Sequence, residues 1–417
     1  MAPTFLAGKV EFLVAMLLVA TVVSLATRRT RVPYTVALVI LGVGAQAAGF
    51  LPKVGLTPGL VLTVFLPPLL FEAAWNLDIR TLRIVWKPVA FLAILGVAVA
   101  VLAIGAAVHL AGGLSWPAAL LLGAALSATD PVSVVALFKE VPVPGRLAVT
   151  IEGESLFNDG TSVAIYQVLL AGVATGKLSG LTLGGQFVIL ALGGLALGVL
   201  IGGLASMSLS FIDDHLTGVM LTTVVAYGGF LLGARLGVSP VLTVVAAGLV
   251  AGNVAKGQLR MPRAPGPRRL RLRFKGLKTV SREISVAIDS FWEYAAFVVN
   301  SLLFLLVGLE FVAGPVFQRA APFFWALVGM QGARLLSIGA LFAVPGARPR
   351  SREVPVLYWG GLRGALSLAM ALGLPLTIPG RDTVIAVAYG CVLFTLVVQG
   401  LSMPWLVSRV FRPPVRS

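Results

Sequence analysis

The sequence predicts an all-α polytopic membrane protein of thirteen transmembrane helices, built from inverted repeats that each contain a broken helix. Three observations lead there. Hydrophobic residues are 58% of the chain and charged ones 12%, with a mean hydropathy of +0.98, far from the usage of soluble domains. Apolar runs recur from end to end, most of them long enough to span a bilayer at about 1.5 Å of rise per residue. The few remaining charges are sorted between the connections.

Taken in order, the segments are 10–27, 32–50, 59–76, 88–111, 115–138, 147–175, 181–209, 216–235, 239–254, 288–313, 321–344, 354–378 and 382–410. The first is a largely apolar run closed by Arg28, Arg29 and Arg31. That cluster assigns its end to the cytoplasm under the positive-inside bias. Alternation from there puts 24 of the 32 Lys and Arg on the cytoplasmic side and six (Lys9, Lys53, Lys177, Arg235, Arg319 and Arg381) on the other. A miscounted span would mix the two groups. The N-terminus is therefore expected outside, the C-terminus inside, in a cell membrane.

The net charge of +16 is concentrated in the segment 254–287, around Arg268, Arg269, Arg271, Arg273 and Lys275. A cytoplasmic loop that holds topology and touches anionic headgroups accounts for it; nothing around it resembles a nucleic-acid module. The single Cys391 excludes an intrachain disulfide and a cysteine metal cluster. His109 and His215 are too few for a multi-histidine site. No cofactor is expected.

Two segments carry carboxylates where a bilayer tolerates them least. Segment 115–138 reads Ser127-Ala128-Thr129-Asp130-Pro131, and 147–175 reads Glu154-Ser155-Leu156-Phe157-Asn158-Asp159 at similar depth. Ionisable groups in hydrocarbon cost several kcal/mol and mark ion or proton paths. Pro131 lacks an N–H and clashes with the carbonyl four residues back, freeing that of Ser127 and pushing Asp130 from helical geometry. Such backbone is tolerated only in a cavity or packed in protein. A plain proline kink explains this segment alone equally well. The next segment tips the balance: Ser155, Asn158 and Asp159 share one helix face and offer oxygen ligands suited to a small cation.

Asp130, Glu154, Asp159 and Glu72 are four potential anions inside the apolar spans, with Arg334 and Arg363 as counterions available there. Arg334 lies midway through its segment at the depth of Glu154, whereas Arg363 lies nearer the cytoplasmic end. The expected structural pair is Glu154 with Arg334. Asp159 is left to hold a proton or a cation, not both. Segment 354–378, with Gly360-Gly361-Leu362-Arg363-Gly364 and Gly373-Leu374-Pro375, follows the Asp130 segment by seven spans. An odd offset means inverted topology, the usual pointer to a transporter's midplane site. Close packing through small residues is the competing explanation.

These motifs, with Leu66-Pro67-Pro68-Leu69-Leu70-Phe71-Glu72-Ala73-Ala74 and Gln331-Gly332-Ala333-Arg334, resemble the monovalent cation:proton antiporters of the sodium/proton exchanger type over essentially the whole chain. The resemblance implies the sodium/proton antiporter fold and a homodimer. Residues 1–87 and 216–313 would form a dimerisation scaffold, 88–175 and 321–410 a moving core bundle, and 176–215 a linker. It implies exchange of Na+ or Li+ for H+ at Asp159. Thr129, Asp130, Ser155, Asn158 and Glu72 would line or complete the cation site, and Arg334 would pair with Glu154. Asn158 before Asp159 matches the electroneutral branch, one cation per proton. A K+/H+ antiporter uses the same layout. A cation channel needs no titratable carboxylate, and the flanks of Asp130 and Asp159 do not fit an intramembrane aspartyl protease.

Overall fold

The computed structural model describes residues 2–27, 32–49, 57–141, 143–176, 179–257 and 281–411, and all regular structure among them is helical. The helices are α1 (Ala2–Thr27), α2 (Tyr34–Ala47), α3 (Leu60–Asn76), α4 (Ile79–Leu110), α5 (Trp116–Ser127), α6 (Val132–Glu140), α7 (Gly145–Thr175) and α8 (Gly180–Leu209). They continue with α9 (His215–Arg235), α10 (Pro240–Ala255), α11 (Arg282–Leu309), α12 (Ala313–Gln318), α13 (Ala320–Leu341), α14 (Val354–Trp359), α15 (Ala365–Leu372) and α16 (Arg381–Phe411). Among the described residues, seven are long and apolar enough to cross a membrane. Most of the basic segment 254–287 lies outside the described residues.

Several helices begin before the apolar segments do. α4 starts at Ile79, where Asp78 accepts the Arg80 and Thr81 N–H groups at 3.0 and 3.3 Å. Its first turns carry Arg80, Arg83 and Lys87. α11 starts at Arg282 because Ser281 accepts from the Ile284 N–H, six residues ahead of its apolar run. Hydropathy locates the hydrocarbon; capping side chains locate the helix. Outside the spans, Asp214 caps α9 by accepting from the N–H and hydroxyl of Thr217 at 2.8 and 2.9 Å. The Thr217 N–H holds its carboxyl below the usual carboxylate range.

Three apolar helices contain wide turns that the sequence reading does not anticipate: Leu60–Phe65 in α3, Phe91–Gly96 in α4 and Thr395–Gln399 in α16 are π-helical. The first directly precedes Pro67 and Pro68, and the second follows Pro88 and the non-helical Val85. Proline withdraws a donor from the ladder, and widening the turn re-pairs the neighbours.

The helices pack as two groups. α2, α3, α9, α10 and α11 pack on one another, with α1 against α2 and α11; α4, α5, α7, α13, α15 and α16 form the other group. Within the first, Gly42 and Gly308 bring the α2 and α11 backbones together, since a Cβ on either would overlap the other helix. Trp75, Trp292, Phe71 and Phe304 fill that group's interior. α8 lies along α10 and also touches α7.

Two helical lines are interrupted mid-course. Between α5 and α6, Ala128 is extended (φ −61°, ψ 137°) and Pro131 begins the new helix. Between α14 and α15, Gly364 is extended (φ −128°, ψ −163°). The interruptions meet, with the Asp130 N–H donating to the Leu362 carbonyl at 2.8 Å. This crossing lies against α7.

Candidate ion-binding site

The crossing is built from backbone that proline and glycine release from helical pairing, and side chains of α7 satisfy it. The Ser155 hydroxyl donates to the Thr129 carbonyl. The Asn158 amide reaches Thr129 twice: its N–H group donates to the Thr129 hydroxyl at 2.6 Å, and its oxygen accepts from the Thr129 N–H at 3.3 Å. Ser155, Asn158 and Ser162 are 3%, 2% and 0% exposed, the i, i+3, i+7 face of α7. One turn beyond, the hydroxyls of Ser162 and Ser127 lie 2.8 Å apart.

Asp130 caps α6, accepting the Val132 N–H at 3.0 Å. Its carboxyl fills the space where Gly364 would carry a Cβ, so the glycine is what lets the two interruptions touch. Asp159 differs: its Oδ1 is buried without a hydrogen-bond partner among the described residues. Asp130 and Arg363 are the charged groups acting on it.

Glu154 is 3% exposed and held from α13. Both terminal nitrogens of Arg334 donate to its two oxygens, Nη2 to Oε2 at 3.0 Å. The same guanidinium donates to the Leu357 carbonyl at the end of α14, 3.0 Å from Nε and 2.7 Å from Nη2. The pair thus joins α7, α13 and the second interruption.

Arg363 departs from the sequence expectation. Instead of lying toward one end of its span, it enters the crossing, where Nη1 donates to the carbonyls of Ser127 and Ala128 at 3.0 and 3.1 Å. Its own N–H donates to the Thr395 hydroxyl at 3.0 Å. Depth counted along a straight helix misplaces it, because α14 ends at Trp359 and the chain runs on non-helically. A signal was present: Pro131 frees the Ser127 carbonyl, and the exposed C-terminal end of a half-helix attracts a cation. Ser162 and Thr395 carry no comparable signal.

A cavity of about 20 Å³ lies between pair and crossing, lined by Ser127, Thr129, Glu154, Asn158, Arg334 and Arg363, room for about one water. Glu72 is not among its lining residues; it sits on α3 and accepts from the Asn76 side chain at 2.8 Å. Chemically, the crossing offers hydroxyl, amide, carbonyl and carboxylate oxygens, a hard donor set that suits a small cation held briefly. Among the described residues no group of three or more His, Cys, Asp or Glu could hold a resident metal.

The family profile described as sodium/hydrogen exchanger, transmembrane, matches residues 14–409. The chain belongs to the sodium/hydrogen exchanger family. Among curated relatives, the Na(+)/H(+) antiporter ApNhaP of Aphanothece halophytica is 39% identical over 400 residues, 94% of this chain and 72% of that protein. The Na(+)/H(+) antiporter NhaS2 of Synechocystis sp. is 38% identical over 404 residues, 96% and 70%. The fold matches the solved structure of the sodium proton antiporter MjNhaP1 from Methanocaldococcus jannaschii at pH 8, with a TM-score of 0.76 and 17% identity over 98% of this chain and 100% of that one. Both interruptions and the face of α7 that meets them belong to the helix group of α4, α5, α7, α13, α15 and α16.

Proposed function

We propose that the protein is a secondary active antiporter that exchanges Na+ or Li+ for H+ by letting the two compete for Asp159. One observation carries this reading: Asp159 presents a buried oxygen with no hydrogen-bond partner among the described residues, beside a cluster of oxygen ligands. A buried carboxylate oxygen needs a partner, and a proton or a small cation each supplies one. Glu154 is occupied by Arg334, and Asp130 by the start of α6. With proton and cation exchanging at the single carboxylate of Asp159, one cation leaves for each proton taken up, so exchange is electroneutral.

Residues would divide by role. Asp159 holds the exchanged ion, with Asp130 shaping the field beside it. Thr129, Asp130, Ser155 and Asn158 line the cation site, Glu72 completes it from α3, and Glu154 with Arg334 braces the core. Segments 88–175 and 321–410 would move as a bundle against a scaffold of 1–87 and 216–313, joined by 176–215, and the scaffold would make a homodimer. The same reading puts the chain in the cell membrane with its N-terminus outside and C-terminus cytoplasmic. It assigns no enzymatic activity and no resident cofactor.

Everted vesicles test the reading. Sodium or lithium added to vesicles with a preformed acid interior should restore the fluorescence of a quenched pH dye, with potassium at the same concentration much weaker. Recovery with potassium alone would establish the K+/H+ antiporter instead, and cation flux without proton movement would establish a channel.

A further inference from the structure

At one end of the molecule, α3, α10 and α11 join through a polar knot distant in sequence from the crossing. Asn76, one turn after Glu72, donates its amide N–H to the Glu72 carboxylate at 2.8 Å and accepts on its oxygen from Lys256 Nζ at 2.7 Å. Lys256 uses its other donors on Asp289 Oδ1, 3.3 Å away, and the Trp75 carbonyl, 3.4 Å away. Trp75 in turn donates its indole N–H to Asp289 at 2.6 Å. The backbone beneath is fixed by Asn253, 1% exposed, which accepts from the Ile79 N–H at 3.0 Å and donates to the Leu77 carbonyl at 2.9 Å.

The chemistry of this chain is directional. An asparagine amide has a donor end and an acceptor end. Here its donor end meets a carboxylate and its acceptor end an ammonium. Turning it over would set donor against ammonium and oxygen against carboxylate, so Lys256 dictates which way Asn76 faces. Lys256 cannot drift, because an indole-held carboxylate and a backbone carbonyl also hold it. Lys256, 180 residues from Asn76 along the chain, thereby fixes the amide that meets Glu72, on helices of the group that does not carry Asp159.

We propose that Asn76 and Lys256 are positioning residues for Glu72, Lys256 acting through Asn76, and that they orient this carboxylate toward the cation. The proposal rests on the reading of Glu72 as a cation-binding residue. It accounts for an amide placed between two opposite charges.

Everted vesicles present the cytoplasmic face outward, so initial rates against added sodium report it directly. Asn76→Ala and Lys256→Ala should each raise the apparent KM for sodium several-fold at a nearly unchanged maximal rate per amount of protein. Asn76→Gln, which keeps both ends of the amide within reach of a residue four positions back, should restore most of the affinity. The double Ala variant should be no worse than Asn76→Ala, and neither change should add to Glu72→Gln. Additive KM increases, a fall in maximal rate alone, or a wild-type KM in Asn76→Ala while Glu72→Gln is impaired, would each overturn the positioning role and leave Glu72 as a ligand. A wild-type sodium KM in Glu72→Gln would overturn the reading of Glu72 itself, and the proposal with it.

Discussion

Asp159 and Glu154 are five residues apart on one helix, yet their surroundings give them opposite characters. Glu154 accepts from a guanidinium through both oxygens, whereas Asp159 keeps a buried oxygen without a hydrogen-bond partner among the described residues. Asp159→Asn removes the charge while keeping the shape, so exchange should vanish while the thermal midpoint moves only a few degrees, the scale of about 1 kcal/mol. Dye dequenching and a melting curve on the same preparation read both, and full activity in this variant would sink the competition mechanism. The oxygen-bearing residues of the site are legible from the sequence, because Ser155, Asn158 and Asp159 lie at helical spacing. Arg363 is not: its partners, the Ser127 and Ala128 carbonyls, lie more than 200 positions away and are exposed only once both helices break. Pro131 signals locally that the Ser127 carbonyl is free, but no local pattern reports which distant cation takes it.

At the scale of elements, the breaks themselves are legible. Pro131 and the glycines around Arg363 act on their own backbone, and the interruptions fall at those residues. The π-helical turns escape a sequence reading, since a single extra residue in a turn leaves an apolar pattern apolar. Helix starts are shifted for a simpler reason: Asp78 and Ser281 cap helices outside the hydrocarbon. The Arg334–Glu154 bond connects α13 to α7 and, through the Leu357 carbonyl, to α14. Glu154→Ala or Arg334→Ala should each cost about 3–5 kcal/mol, because each strands a buried charge. The double variant should cost less than the sum, since the partner's uncompensated charge is gone too. A thermal-stability cycle returning additive losses would refute the coupling.

Across the whole molecule, the two helix groups meet at several contacts, α2 against α16 among them. A Cβ on Gly400 would lie 2.9 Å from Val36 Cγ2, within reach of a disulfide. If one group moves against the other, Val36→Cys with Gly400→Cys should stop exchange on oxidation and recover it on reduction. The native Cys391 is buried and gives the background in single-Cys controls. Undiminished exchange in fully cross-linked protein would exclude relative movement at this contact. The fold class is legible at this scale because hydropathy and charge sorting are bulk properties. The division into two helix groups depends on contacts between distant helices, which composition does not encode. The unpaired oxygen of Asp159 also bears on leakage. A carrier that could cross empty would dissipate one gradient without building the other. An empty Asp159 would have to be carried through the closed, dry stage of the cycle as a bare anion, at a cost of several kcal/mol. Each 1.4 kcal/mol of that cost slows the futile return about tenfold. Either passenger removes the penalty. On the proposed competition, the feature that lets the site bind would therefore also be what keeps it from slipping.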